Sequence, residues 1–199
     1  MKAPVRWLAL LLAGAVVAAV GCSSHAPAGS YHAADISSIM PALSFHLIGP
    51  GGQPITQQFV RGKTTILYFG YTHCPDECPT TLARLTAALH MLGPAADEVH
   101  VLFVSVDPQR DSPAVLAQYA HYFAPQVEGA SGTDAELTAL TKRYRVAYRR
   151  DPPDAHGAYA VYHSSAVFVF DAEGRARLLV PDTETPTQLA QDLSTLSAG

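Results

Sequence analysis

The sequence has few of the features that mark nucleic-acid-binding, membrane-spanning or disulfide-framework proteins. Lys and Arg together number 13 of 199 residues, the formal net charge is −4, and no basic run occurs. Nucleic acid is therefore excluded as an expected partner. The apolar run at 7–20 is shorter than the roughly 20 residues that a membrane-spanning helix requires. Three cysteines are too few for a framework of disulfides, so we expect a hydrophobic core to stabilise the fold.

The amino-terminal segment has the pattern of an export signal. Lys2 and Arg6 precede the apolar run, which ends in Ala-Ala-Val-Gly-Cys at 18–22. This ending resembles the lipobox of bacterial lipoproteins, which implies cleavage before Cys22 and attachment of lipid to it. We therefore expect an exported domain that is lipid-anchored to the membrane and faces the periplasm. The predicted divisions are a signal peptide at 1–21, a flexible tether at 22–40 and a folded domain at 41–199.

Apolar periodicity predicts alternating strands and helices in the folded domain. The runs at 64–69 and 99–106 have the composition of buried central strands. Leucines at helical spacing predict a helix that begins at Thr80 and stops at Gly93. The other predicted strands are 44–48, 58–61, 165–170 and 177–180, and the other helices are 112–123, 133–144 and 187–196. This order predicts an α/β, thioredoxin-like fold with extra N-terminal strands and a terminal β-hairpin plus helix.

Cys74 and Cys78 lie between the first buried strand and the helix after it. Two sulfurs at such a turn can bind a soft metal ion or exchange electrons as a dithiol and a redox-active disulfide. The start of a helix is expected to favour thiolate over thiol through its dipole and its free N–H groups. An oxidising compartment would permit the disulfide. The cysteines alone leave both functions open.

A metal site would require a third ligand, because two sulfurs alone hold Cu(I) or Zn(II) poorly. His163 is the strongest candidate, since the loop before the strand at 165–170 faces the cysteine pair in a thioredoxin-like fold. Ordinary thioredoxins have a cis-proline there. His73 is expected to point away from Cys74, because neighbours in an extended segment face opposite sides. His156, in a stretch rich in Pro and Gly, is interpreted as a solvated loop residue, with an auxiliary ligand as the alternative.

Four separated motifs occur in one order along the chain. They are Gly-Tyr-Thr-His-Cys-Pro-Asp-Glu-Cys-Pro at 70–79, Ser-Val-Asp-Pro-Gln-Arg-Asp-Ser-Pro at 105–113, Tyr-Arg-Val at 144–146, and His163. Together they resemble the Sco/SenC family over about residues 41–197. The resemblance implies a thioredoxin-like domain that binds copper, as Cu(I) or Cu(II), through Cys74, Cys78 and His163. It also implies an assembly factor that delivers copper to the CuA centre of cytochrome c oxidase subunit II. A periplasmic copper donor is a further expected partner.

Two positions depart from the family pattern. Glu77 precedes the second cysteine where an apolar residue is usual, and a carboxylate there should raise the pKa of the thiols. Tyr162 precedes His163 where Asp is frequent, so the imidazole would lack that orienting partner. The stretch 107–113 is interpreted as a structural turn, with a docking surface beside the metal as the alternative.

These residues are compatible with three functions. A copper metallochaperone, which is not an enzyme, uses Cys74, Cys78 and His163. A thiol–disulfide oxidoreductase that reduces the cysteines of the copper-receiving partner uses the two cysteines alone. A redox or copper sensor would require an effector domain, for which the sequence offers no support. The metallochaperone is our leading hypothesis, because a histidine stands where the thioredoxin proline is expected.

Overall fold

The computed structural model describes residues 31–197. The predicted signal peptide, Cys22 and the first part of the tether lie outside the described residues. Within 31–197, none of the helices combines the length and the apolar content needed to span a bilayer. The strands are β1 Ala34–Asp35, β2 His46–Ile48, β3 Pro54–Thr56, β4 Thr64–Gly70, β5 Val99–Ser105, β6 Val127–Ala130, β7 Tyr148–Arg150, β8 Val161–His163, β9 Val167–Phe170 and β10 Ala176–Val180. The helices are α1 Glu77–Leu92, α2 Pro113–Phe123, α3 Asp134–Arg143 and α4 Pro186–Ser197.

A central mixed sheet organises the domain. Its strand order is β1-β10-β9-β4-β5-β6. The three strands β4, β5 and β6 run parallel, whereas β9 is antiparallel to both β4 and β10. Every residue of β4 is buried, as expected for a central strand covered on both faces. Two small antiparallel pairs, β2–β3 and β7–β8, lie outside this sheet. The predicted mixed α/β architecture, with its terminal hairpin and helix, is confirmed.

The helices bury the faces that their apolar spacing predicts. Leu82, Leu85 and Leu89 of α1 are buried, and α1 packs against α4. The start of α3 is a capping box, in which the Thr133 hydroxyl accepts from the Glu136 N–H and the Glu136 carboxylate accepts from the Thr133 N–H. These local signals explain why the predicted helices occur where the sequence pattern indicated.

Several elements differ from the prediction. The predicted strand at 58–61 is wrong, because residues Gln57–Val60 form a 3₁₀ helix whose start is capped by the Thr56 hydroxyl. Helix α1 begins three residues earlier than Thr80. Pro79 fits within its first turn, where a missing N–H removes no intrahelical hydrogen bond. The short strands β6, β7 and β8 were not predicted.

Part of the segment that was predicted to be a tether, from residue 31 onward, packs against the domain. Ala34–Asp35 pairs with β10, and Ala33 and Ile36 are buried. The buried Asp192 carboxylate of α4 accepts the backbone N–H groups of His32 and Ala33, at 2.9 and 2.8 Å. Residues from 31 onward therefore add a strand to the edge of the sheet.

Candidate metal centre

The loop between β4 and α1 places the two cysteine sulfurs beside each other. Cys74 lies in this loop and is partly buried, whereas Cys78 lies in the first turn of α1 and is fully buried. The Cys78 N–H donates to the Cys74 sulfur at 3.3 Å. The two thiols are not bridged. The end of the strand and the start of the helix therefore create the sulfur pair together.

Burial controls the acidity of Cys78. It raises the pKa of the Cys78 thiol far above its ordinary value, with a further upward contribution from the hydrogen bond to Cys74. At Cys78, burial therefore acts against the thiolate that the helix start was expected to favour. Glu77, which was expected to raise the thiol pKa, is exposed and is not among the groups that do so. A metal ion that binds Cys78 must displace a proton.

His163, the last residue of β8, completes a cluster of three donor atoms. Its Nε2 lies 3.2 Å from Cys78 Sγ. When Nδ1–H donates to the Ser164 carbonyl, 3.1 Å away, the Nε2 lone pair faces the sulfurs. The rings of Tyr68 and Tyr71 pack edge-on to the imidazole, with centroids 6.3 and 5.8 Å away. The ligand atoms of the two cysteines and His163 all lie within 4.8 Å of one another.

The structure brings together the three predicted ligand residues and leaves the other histidine candidates outside. His73 Nδ1 lies 3.0 Å from the Thr72 hydroxyl and 3.7 Å from Asp111, so this ring is held by polar partners and is not part of the cluster. His156 is exposed in the loop between β7 and β8. Within residues 31–197, no other group of three or more His, Cys, Asp or Glu side chains has this spacing.

Two buried aspartates support the cluster from the turn after β5. The Asp111 carboxylate accepts the Thr72 N–H at 2.9 Å, the Thr72 hydroxyl at 2.6 Å and the Ser105 hydroxyl at 2.5 Å. The Asp107 carboxylate accepts the Tyr159 hydroxyl at 2.6 Å and also the Arg110 Nε–H. Sequence reasoning interpreted 107–113 as a structural turn but did not identify these partners. Two aspartates four positions apart, the first directly after the predicted strand at 99–106, were the available signal.

The cluster lies at the base of an open cleft. Tyr162 is 53% exposed at its rim, and the Arg149 guanidinium lies over its ring at 4.8 Å. The phenol therefore stacks on Arg149 and has no hydrogen bond to the imidazole of His163. The cleft is lined by Tyr71, Cys74, Pro75, Asp76, Glu77, Val161, Tyr162 and His163. A ligand from another molecule could reach the Cys74 sulfur and the His163 imidazole through this opening.

The sequence matches the family model described as SCO1/SenC over residues 38–198. The chain belongs to the SCO1/SenC family. It is 34% identical over 151 residues to the mitochondrial protein SCO2 homolog of Danio rerio, a match that covers 75% of this chain and 54% of that protein. The chain therefore spans about half the length of this curated relative.

Solved structures of the SCO1/SenC family have the same fold. The copper-bound ScoI structure of Bradyrhizobium japonicum is 37% identical, with a TM-score of 0.71 over 78% of this chain and 98% of that one. The apo Sco1 structure of Thermus thermophilus is 35% identical, with a TM-score of 0.75 over 84% and 97%. The thioredoxin-like fold class predicted from the sequence is confirmed.

Proposed function

We propose that this SCO1/SenC protein is a copper metallochaperone that binds one copper ion through Cys74, Cys78 and His163. The observation that carries the proposal is the convergence of two sulfurs and an imidazole nitrogen within 4.8 Å. Thiolates and imidazole suit Cu(I), Cu(II) and Zn(II) and are poor ligands for hard ions. The copper bound to the related ScoI structure favours copper as the cargo.

Copper transfer would proceed by ligand exchange at the open cleft. Copper held by three protein ligands keeps a coordination position that an incoming thiolate of the recipient can occupy. Each new ligand then replaces one of this chain's ligands, so the ion moves without being released into solution. Loading requires loss of the Cys78 proton, which makes copper binding favoured as pH rises.

The proposed recipient is the CuA site of cytochrome c oxidase subunit II. Support comes from the motifs that resemble the Sco/SenC family and from the chain's membership of SCO1/SenC. A lipid on Cys22 would hold the domain on the periplasmic side of the membrane, close to a membrane-embedded oxidase. A periplasmic copper donor would complete the route.

A thiol–disulfide oxidoreductase is the second candidate, and the adjacent, unbridged sulfurs favour it. The Cys78 N–H directed at the Cys74 sulfur is typical of a cysteine at a helix start. This activity would reduce the cysteines of the copper recipient and would not require His163. Only the dithiol form can bind copper, so the two activities are linked.

The deciding experiment is a copper titration of the reduced protein with Cu(I) and with Cu(II). We expect one tightly bound copper per chain and a thiolate-to-Cu(II) charge-transfer band. His163→Ala should abolish the band and weaken Cu(II) binding by at least roughly tenfold, because a ligand is lost. His156→Ala is the matched control, since this exposed histidine lies outside the cluster, and it should behave like the wild type.

Two outcomes would contradict the proposal. Equal copper affinity in the wild type and His163→Ala would eliminate the three-ligand site. Absence of tight copper binding, combined with rapid disulfide exchange that His163→Ala leaves unchanged, would assign the protein to the oxidoreductases.

A further inference from the structure

One turn of the chain contacts both of the segments that lead into the metal cluster. This element, the 107–111 turn, connects β5 to α2. On one side it reaches the loop between β4 and α1, called here the cysteine loop, because the buried Asp111 carboxylate accepts both the N–H and the hydroxyl of Thr72. Thr72 lies two residues before Cys74. The position of the cysteine loop is therefore tied to this turn by two hydrogen bonds to one carboxylate.

On its other side the turn reaches the chain that leads to His163. The Tyr159 hydroxyl donates to Asp107 at 2.6 Å. The Arg110 guanidinium lies 3.9 Å from the centroid of the Tyr159 ring, and its Nη1 donates to the Tyr159 carbonyl at 3.3 Å. Tyr159 lies four residues before His163. Three contacts of different kinds thus converge on one residue at the entrance to β8.

Buried carboxylates and backbone hydrogen bonds fix the conformation of the 107–111 turn. The side chains of Asp107 and Asp111 are fully buried. The Asp107 carbonyl accepts the N–H groups of Arg110 and Asp111, and the Asp107 N–H donates to the Ser105 hydroxyl at 3.0 Å. Buried carboxylates are costly unless hydrogen bonds and charge partners satisfy them. Thr72 supplies some of the hydrogen bonds to Asp111, and Tyr159 supplies one to Asp107.

The arm formed by β7 and β8 depends on contacts of this kind. Each of its strands has three residues, and the pair lies outside the central sheet. An isolated two-stranded pair is marginally stable in water. A second attachment joins Arg150 to Asp134, but Asp134 is largely exposed, and exposed ion pairs contribute little. The contacts at Tyr159 are half-buried and include the fully buried Asp107 carboxylate, so they are the stronger of these two polar restraints.

We infer that the 107–111 turn sets the distance between His163 and the cysteine pair, with Asp107, Arg110 and Tyr159 as positioning residues for the imidazole. The inference rests on the proposed function for its effect on copper. It also makes a structural prediction about the arm that does not depend on copper.

Tyr159→Phe tests the inference with the removal of one oxygen atom, because the ring that packs against Arg110 remains. We expect Cu(II) affinity to fall by on the order of tenfold and the charge-transfer band to change. The rate of Cys74–Cys78 disulfide exchange should stay the same. Tyr122→Phe is the matched control, since Tyr122 is 85% exposed and its hydroxyl makes no contact with the cluster.

A double-mutant cycle distinguishes positioning of His163 from general destabilisation. Tyr159→Phe should have no further effect on copper affinity in a His163→Ala background, because the ligand that it positions is already absent. Hydrogen exchange of the metal-free protein supplies a second readout. Amides at 161–163 should exchange several-fold faster in Tyr159→Phe, whereas those of β4 should not change.

The inference would be overturned if Tyr159→Phe bound Cu(II) as tightly as the wild type and its amides at 161–163 exchanged at the wild-type rate. An equal loss of affinity with and without His163 would also overturn it. If the wild-type protein binds no copper, the proposed function fails and the exchange data alone decide the inference. If Tyr159→Phe does not fold, Arg110→Lys replaces it, because it keeps the charge while removing the planar group over the ring.

Discussion

Gly70, at the end of β4, is the position where one added methyl group should affect the metal site most directly. A Cβ built there would lie 2.8 Å from Cys78 Sγ and 2.7 Å from Phe103 Cε2. Nonbonded heavy atoms normally approach to about 3.5–4.0 Å, so the sulfur must move by roughly 0.7 Å or more. Metal–ligand distances tolerate only about 0.2 Å. We therefore expect Gly70→Ala to reduce copper affinity by on the order of tenfold or more and to destabilise the fold by about 1–3 kcal/mol.

Gly129→Ala is the matched control for Gly70→Ala. A Cβ at Gly129, in β6, would lie 2.8 Å from both the Cβ and the carbonyl oxygen of Leu116. The overlap is similar, but it lies two strands away from β4. Urea unfolding should show destabilisation of both variants, whereas copper titration should show weaker binding only in Gly70→Ala. Wild-type copper affinity in Gly70→Ala would refute the steric reasoning.

Two further predictions concern the packing of α4. Burial and then the neighbouring Asp192 raise the pKa of Glu184 to about 7 from an ordinary value of 4.5. The folded state therefore binds this proton more tightly than the unfolded state, and the resulting stabilisation is complete below about pH 4.5 and lost as pH rises through 7. Urea unfolding of the wild type should show the free energy of unfolding falling by up to about 3 kcal/mol across this range. Glu184→Gln should not show this fall, and the same pH dependence in both proteins would contradict the prediction. Asp192→Ala leaves the N–H groups of His32 and Ala33 without their carboxylate, so a cost of about 2–3 kcal/mol is expected. Unchanged unfolding free energy and unchanged amide exchange at 32–33 would argue against that role.

The central strands could be predicted from sequence to within one residue. Strands β4 and β5 each contain four consecutive buried apolar residues, at 66–69 and 101–104, and such runs have few alternatives to a central position in a sheet. Strands β7 and β8 have the sequences Tyr-Arg-Arg and Val-Tyr-His, which show no apolar alternation. Their pairing depends on tertiary contacts that no local pattern contains.

The candidate site could be predicted only in part. The convergence of Cys74, Cys78 and His163 followed from motif order and from where the fold places its loops. The supporting contacts did not, because Thr72–Asp111 and Asp107–Tyr159 join residues 39 and 52 positions apart. The acidity of Cys78 was also missed, since a helix start can be recognised in a sequence but the depth of a sulfur below the surface cannot.

Because the candidate ligands are far apart in the sequence, a copper ion bound by them would also affect the stability of the fold. Cys78 and His163 are 85 positions apart, so an ion held by both is a reversible cross-link. Closing a loop of that length with a permanent bond would remove roughly 4–5 kcal/mol of chain entropy from the unfolded state. We therefore expect bound copper to stabilise the folded domain against unfolding, and release of the ion to remove that stabilisation. Under the proposed function, the domain without copper is therefore less stable to unfolding than the domain that holds it.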